Sequence, residues 1–225
     1  TKMDSIVLKE NIALSVADIL TFNSSIFVKN YGRATLSTVA FRGTSASHTQ
    51  VSWNGMKINS PMLGMTDFSM IPSYFIDDAT LLHGTSSVNE TGGGLGGSIQ
   101  LSTKPAKEDG FGLQYIQGVG SFKTFDEFLR LTYGNEYWQT STRVVYSSSP
   151  NDYKYRNHDK KENIYDENMN IIGQYYPIER NRSGAFKDFH FLQEAYYNTM
   201  KGDRFGFNAW YINSNRELPM LTVDY

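Results

Sequence analysis

The side chains able to do chemistry are scattered along this chain, and none forms a recognisable catalytic set. Its four histidines, His48, His83, His158 and His190, stand far apart, which favours structural imidazoles over a metal or haem site. Cysteine is absent, so thiolate metal sites, thiol nucleophiles and disulfides are excluded. Gly43-Thr44-Ser45-Ala46-Ser47 lacks the closing glycine of a nucleophile elbow, and no Gly-Lys-Ser/Thr phosphate loop occurs. Carboxylates gather in one stretch, at Asp152, Asp159, Glu162, Asp166 and Glu167. Asp166-Glu167-Asn168-Met169-Asn170 begins like a calcium loop, but Ile171 replaces its glycine and Pro177 stands where the bidentate Glu is needed. The stretch therefore reads as a solvated loop, with calcium as the alternative. Gly92–Gly97 contains G-x-G-x-x-G, yet it opens a strand rather than a helix, so a dinucleotide site is rejected. Adjacent glycines let backbone pack on backbone instead. Arg42, set among alternating apolar residues, keeps its charge and can bridge carboxylates. It reads as structural or gating, against the alternative of a plain surface arginine. Nothing supports an enzyme.

The elements that hold these residues centre on 39–59. Val39 and Phe41, then Val51 and Trp53, alternate with polar or small neighbours, the period of half-buried strands. Asn54-Gly55 is a strong hairpin signal, because both residues enter the left-handed region cheaply. Ile12, Val16, Ile19 and Leu20 predict one short helix over Asn11–Leu20. An extended run begins at Ile26-Phe27-Val28, and Asn30-Tyr31-Gly32-Arg33-Ala34 is a loop. Ser60–Thr66 is a second loop, carrying large apolar side chains at Met62, Leu63 and Met65. Residues 71–83 read as a turn and a strand, and Ser98–Thr103 as another strand.

The 225 residues allow one or two domains with a real core, and a net charge of -2 argues against nucleic acid as a partner. Aromatics at 14% together with 19 glycines bias the reading toward β structure with many turns. No run reaches the roughly 18 apolar residues of a spanning helix, so any membrane crossing must use strands. The expectation at Thr1 is that a signal peptide is absent or already removed.

The texture changes after the charged linker at Pro105–Gly110. Leu113 and Tyr115, then Leu129, Leu131 and Tyr133, then Val144 and Tyr146, alternate with Gln114, Arg130, Thr132, Arg143 and Ser147. Phe205, Phe207, Ala209 and Tyr211 form a further set. These are segments of about 10 residues whose two faces meet different environments, as in barrel strands. Asn135-Glu136 and Lys201-Gly202-Asp203 are short turns on one side, and Ser148–Asp188 is a long polar excursion on the other.

In this order, Val16-Ala17-Asp18-Ile19-Leu20, Phe41-Arg42-Gly43, Val51-Ser52-Trp53-Asn54-Gly55, Ile71-Pro72, Leu82-His83-Gly84-Thr85-Ser86-Ser87, Gly96-Gly97-Ser98-Ile99 and Ser102-Thr103-Lys104 resemble the plug domain of TonB-dependent outer-membrane transporters. The resemblance covers about residues 11–105, with barrel strands following. Arg42-Gly43-Thr44 and Ala46-Ser47-His48 are most similar to vitamin B12 (cobalamin) receptors. Two departures stand out: Asn54 replaces the usual Asp of the hairpin, and Thr85 replaces the usual Pro after Gly84.

The resemblance implies an α+β plug domain over 1–105, followed over 106–225 by the first antiparallel strands of an incomplete transmembrane β-barrel. It implies active uptake across the bacterial outer membrane, powered by TonB and its inner-membrane energising complex, with outer-membrane lipids around the barrel and a surface lipoprotein as a further partner. A TonB-binding segment is expected upstream of Thr1. No cofactor is implied. The apical loops are Asn30–Leu36 and Ser60–Thr66, with Asn30, Tyr31, Arg33, Leu36, Pro61, Met62, Leu63 and Met65 as ligand contacts; packing within the plug is the alternative. Arg42, Gly43, Asn54, Gly55, Gly96 and Gly97 are the gating and structural set. Family barrels have about 22 strands. The strands read here, about five, cannot close, and the chain is expected to be a fragment. Siderophore, haem or glycan remains open as ligand, as does a soluble secreted β-rich binding or adhesion module.

Overall fold

The computed structural model describes residues 2–3, 8–9, 12–30, 32–41, 43–83, 96–104 and 109–218, which build two five-stranded sheets and three two-stranded ribbons. The fold is mainly β with a small helical part.

The first sheet belongs to the N-terminal half. After β1 (Lys2–Met3) comes the helix α1 (Val16–Asn23), then β2 (Phe27–Asn30), β3 (Ser37–Ala40), β4 (Thr49–Trp53), β5 (Met56–Lys57), β6 (Asp78–His83) and β7 (Gly97–Ser102). Helix α1 starts later than the apolar spacing alone predicts, because Ser15 and Asp18 close a capping box: the Ser15 hydroxyl accepts from Asp18 N and Asp18 Oδ2 accepts from Ser15 N at 2.9 Å. It runs on to Asn23, burying Val16, Ala17, Ile19 and Leu20. The sheet order is β1-β6-β7-β4-β5, with β4 and β7 parallel. Asn54 (φ 47°) and Gly55 (φ 81°) make the tight turn between β4 and β5 that their sequence predicts. The Val39 and Val51 runs do not pair with each other; β3 pairs with β2, and β4 takes β5 and β7. The core between helix and sheet is filled by Phe41, Val51, Trp53, Phe68, Phe75, Ile76, Leu81, Ile99 and Leu101.

The second sheet begins with β8 (Gly110–Gly120), β9 (Thr124–Gly134) and β10 (Trp138–Ser149). An excursion follows, carrying β11 (Lys154–Arg156), β12 (Glu162–Tyr165), β13 (Ile171–Tyr175) and β14 (Ile178–Arg180), before β15 (Phe186–Asn198) and β16 (Arg204–Arg216) complete the wall. The wall order is β16-β15-β10-β9-β8, antiparallel throughout. The turns after β9 and β15 lie at one rim; the excursion and the tight corner at Phe122 and Lys123 (φ 59° and 56°) lie at the other. The excursion is more ordered than its polar composition predicts, because β11 pairs with β14 and β12 with β13.

The wall is two-faced, as period-2 alternation requires. Phe111, Leu113, Tyr115, Phe125, Tyr133, Tyr146, Phe189, Tyr197, Phe205, Phe207 and Tyr211 are exposed on one side. On the other side Asp126, Phe128, Arg143, Val145, Asp188, His190, Leu192 and Glu194 are buried. An apolar exterior with a polar, plug-filled interior is the arrangement of outer-membrane strands.

Candidate functional site

The plug meets the wall along a seam held by two sets of charges. At mid-height, Arg143 of β10 is wholly buried. It donates to the Asp77 carboxylate and, through Nη1, to the carbonyls of Tyr74 (3.2 Å) and Phe75 (3.1 Å). Asp77, just before β6, also accepts from Lys9 Nζ at 2.8 Å and from Lys104 N at 2.8 Å, and Arg130 of β9 lies 3.8 Å away. Burial alone would push the Asp77 carboxyl up. The Arg143 charge and the hydrogen bonds from Arg143, Lys9 and Lys104 outweigh it and hold the group well below the usual carboxylate range.

Behind this pair stands Glu194 of β15, buried and 3.6 Å from Arg143. Thr103, at the end of β7, donates its hydroxyl to Glu194. Thr103 in turn binds the hairpin tip: Asn54 Nδ2 donates to Thr103 Oγ1 at 2.7 Å, and Thr103 N donates to Asn54 Oδ1 at 2.9 Å. The wall thus offers both signs of charge, and the plug meets each with its opposite or with a hydrogen bond. A buried pair of this kind costs several kcal/mol of desolvation, so its geometry must be met fully or it destabilises the seam.

The second set lies near the rim of the excursion. Arg33 donates to Asp126 of β9 and to Ser147 of β10 (3.1 Å), and its guanidinium sits 5.4 Å from the Phe186 ring. Arg216 of β16 pairs with Asp188 at 2.7 Å and donates to Ser69 Oγ and O of the plug. Between these pairs lies a cavity of about 330 Å³, walled by Leu14, Asn30, Arg33, Asp126, His190 and Arg216 among others.

Of the residues expected to contact ligand, Asn30 and Arg33 line this cavity. Asn30 is held by its own contacts, donating to Asp18 Oδ1 at 3.1 Å and accepting from Gly32 N at 2.9 Å. Leu36 is exposed nearby in the chain. Tyr31 lies outside the described residues, as does Arg42. Pro61, Met62 and Leu63 are exposed, Met62 at 94%, and Met65 is half-buried. Their loop is pinned from beneath by Asn59, whose Nδ2 donates to Thr49 O (2.9 Å) and Gly64 O (3.0 Å) while its Oδ1 accepts from Val51 N. Large apolar side chains on an anchored loop offer contact area with little backbone entropy left to lose.

Within the gating set, Gly97 has φ 151°, and a Cβ there would lie 2.7 Å from Leu82 O and 2.8 Å from the Phe41 ring. Gly96 faces Thr44, and Gly43 has φ 75° with open space around it. The Gly84-Thr85-Ser86-Ser87 and Gly92–Leu95 stretches lie outside the described residues. The residues of the mid-height latch, Asp77, Arg143 and Glu194 with Lys9 supporting Asp77 from within the plug, escaped the sequence reading. Their one signal was that Arg130 and Arg143 fall on the polar parity of their strands.

The histidines occupy four different settings. His190 is buried between Phe75 and Trp210, His83 meets Phe41 edge-on, His158 meets Tyr176, and His48 ends a short 3-10 turn. Asp166 accepts from Asn168 N, Asn170 N and Asn170 Nδ2, which holds its carboxyl below the usual range. Among the described residues no three His, Cys, Asp or Glu side chains cluster for a metal.

Comparison with known proteins places this geometry. Residues 2–98 match the family model of the TonB-dependent Receptor Plug Domain. The chain is 33% identical over 75 residues to the Vitamin B12 transporter BtuB of Vibrio vulnificus, covering 33% of this chain and 12% of that protein. It is 33% identical over 103 residues to the same-named protein of Photobacterium profundum, covering 44% of this chain and 17% of that protein. Among solved structures, the copper transporter OprC superposes with a TM-score of 0.71 at 16% identity, over 97% of this chain and 32% of that one. The chain therefore spans less than a fifth of the curated relatives and about a third of the structure it matches. These relatives are transporters rather than enzymes. The chain thus carries, over residues 2–98, the plug domain of TonB-dependent receptors, followed by antiparallel strands arranged as in the wall of the outer-membrane transporter it superposes on, and the proteins it is similar to include vitamin B12 transporters.

Proposed function

We propose that this chain is the gated N-terminal portion of a transporter that carries cobalamin across the outer membrane, energised by TonB. The plug comprises 1–105 and the first wall strands 106–225. The observation that carries the reading is the Arg143–Asp77 latch: a plug joined to the wall by buried charges is seated firmly, yet with no cysteine in the sequence it has no disulfide cross-link to hold it there. Cobalamin is preferred because the chain shares 33% identity, over 75 and 103 residues, with proteins named as vitamin B12 transporters. Ligand rests on the exposed Pro61–Leu63 loop and on Asn30, Tyr31 and Leu36. Arg33 serves as ligand contact and seam contact together.

The test is titration of the full-length receptor with cyanocobalamin, followed by uptake in cells with and without TonB. Saturable binding at or below about 1 µM and TonB-dependent uptake are expected. No saturation in that range removes cobalamin, and uptake in cells lacking TonB removes the energised mechanism. Calcium titration of the same receptor is expected to leave the excursion's thermal melting unchanged, since Asp166 already commits three of its roughly four acceptor sites to the turn.

A further inference from the structure

The excursion beyond the wall holds a depression of about 460 Å³ that the latch and the apical loops do not use, lined by Arg156, Tyr175, Tyr176 and Ile178. It forms where the two small ribbons meet. Arg156 and Ile178 are cross-strand partners in β11 and β14, and Tyr175 ends β13. Its frame is fixed by hydrogen bonds. The buried Asn157 donates its N–H to Pro177 O at 2.9 Å and its Nδ2 to Glu179 at 3.0 Å. Tyr175 donates to Glu162 at 2.6 Å, which orients its ring. Tyr176 is flanked by the His158 ring, 4.9 Å away, and by Lys161 Nζ, 5.7 Å from its centroid.

The charge around the depression is lopsided. Glu162 and Glu179 are already engaged by Lys160 at 3.3 Å each, by Tyr175 and by Asn157. These contacts hold both carboxyls below their usual range, with the tyrosine bond largest for Glu162 and the asparagine bond largest for Glu179. The Arg156 side chain makes no hydrogen bond or ion pair with any other described residue. The depression therefore presents two held aromatic rings, an isoleucine and an uncommitted guanidinium. Rings of this kind stack on the C–H face of a sugar or on an aromatic face, and a guanidinium matches the two oxygens of a carboxylate, sulfate or phosphate.

We propose that this depression is a second ligand site, outside the gate, for a ring-bearing organic anion whose ring lies on Tyr175 and Tyr176 and whose acid group pairs with Arg156. It rests on the reading that the excursion faces the exterior, and it holds whether or not the transported nutrient is cobalamin.

The probes are digalacturonate, its neutral methyl ester and 2,3-dihydroxybenzoate, applied to purified full-length receptor in detergent and followed by saturation-transfer NMR and calorimetry. One of the two acids is expected to bind with a dissociation constant below about 1 mM, and which one does so identifies the source as saccharide or aromatic. Arg156→Gln is expected to weaken that binding at least about tenfold, Arg156→Lys less, and Tyr176→Ala as much as Arg156→Gln. Tyr176→Phe keeps the ring and is expected to keep the affinity, so a loss through misfolding is told apart from a loss of stacking. Equal affinity in Arg156→Gln, equal affinity for the ester, or no saturation by either acid would each overturn the site. Cyanocobalamin binding, measured in parallel, is expected to be unchanged by Arg156→Gln. Its failure in wild type would count against the proposed cargo and not against this site.

Discussion

Arg143, in the middle of a wall strand, and Asp77, just ahead of a plug strand, are buried to 0% and 4% side-chain exposure and are joined by a direct ion pair. They are 66 residues apart in sequence, and between them they connect the plug ridge at Tyr74–Asp77 to the barrel. The two plug carbonyls that Arg143 also binds make the contact specific to this seating of the plug.

Removing one partner strands a buried charge, which typically costs about 3–5 kcal/mol, whereas replacing both with apolar residues of similar volume is close to neutral. Asp77→Asn and Arg143→Met are each expected to loosen the plug in the full-length receptor, and the double variant to lose less than the sum of the two while staying below wild type, because Arg143 also serves Glu194 and two plug carbonyls. A reporter is already present: Trp53 of the plug packs on Trp210 of the wall at 5.4 Å, so their fluorescence in a denaturant series, with Trp138 and every tryptophan of the receptor outside these residues replaced by Phe, follows seating. Equal additive losses would show that the two residues do not act as a pair.

The pH dependence follows from the sign of the Asp77 shift. Its folded-state carboxyl is held below the ordinary value, so its contribution is fully present above the unfolded value near about pH 4 and is lost as pH falls through the folded one. Seating, followed by the same tryptophan pair, is expected to be insensitive to Asp77 between pH 7 and about pH 4 and to weaken below that. Asp77→Asn is expected to remove that acid-side step. A step of the same size in the variant would place it on another group.

Arg33 and Asp126 are predicted to act as one unit at the outer rim. The arginine side chain is 36% exposed, so solvent screens the pair and each single substitution is expected to cost about 1 kcal/mol or less. Arg33→Ala and Asp126→Asn together should cost no more than either alone. Ligand titration separates the two roles: a loss of affinity in Arg33→Ala that is absent in Asp126→Asn marks a direct ligand contact.

Met62 and Leu63 project from a loop held by Asn59, so Met62→Ser with Leu63→Ser is expected to shift stability by less than about 0.5 kcal/mol. If the loop contacts ligand, affinity falls several-fold. Gly97→Ala behaves in the opposite way: its Cβ would press on Leu82 O, which cannot give way, so folding yield is expected to fall while the ligand loops are untouched.

Much of the architecture was legible from local patterns. Asn54-Gly55 specifies its turn by itself, and Tyr115, Leu131 and Tyr146 mark an outward face through alternation that any register of the wall would preserve. The short strands β11 to β14 were hidden because large side chains such as Ile171 and Ile172 fall on both faces and are exposed on both, which leaves no period to detect. Helix α1 was misplaced because apolar spacing outlines a face, while the cap at Ser15 sets the start. The latch was harder still. A single Asp after Ile76 and an Arg on the polar side of a strand have no local signature, since what makes them special is a partner more than 60 residues away. Arg42, the charge most visible in sequence, lies outside the described residues.

The contact between Asn54 and Thr103 has a directional consequence. The amide of Asn54 supplies a hydrogen to Thr103 Oγ1, which leaves the threonine's single proton free to point at Glu194. A carboxylate at position 54 would compete for that same proton, and one of two acids facing each other across a hydroxyl would go without. The departure from the usual aspartate at this hairpin tip thus keeps the relay pointing one way, from the stopper to the cylinder.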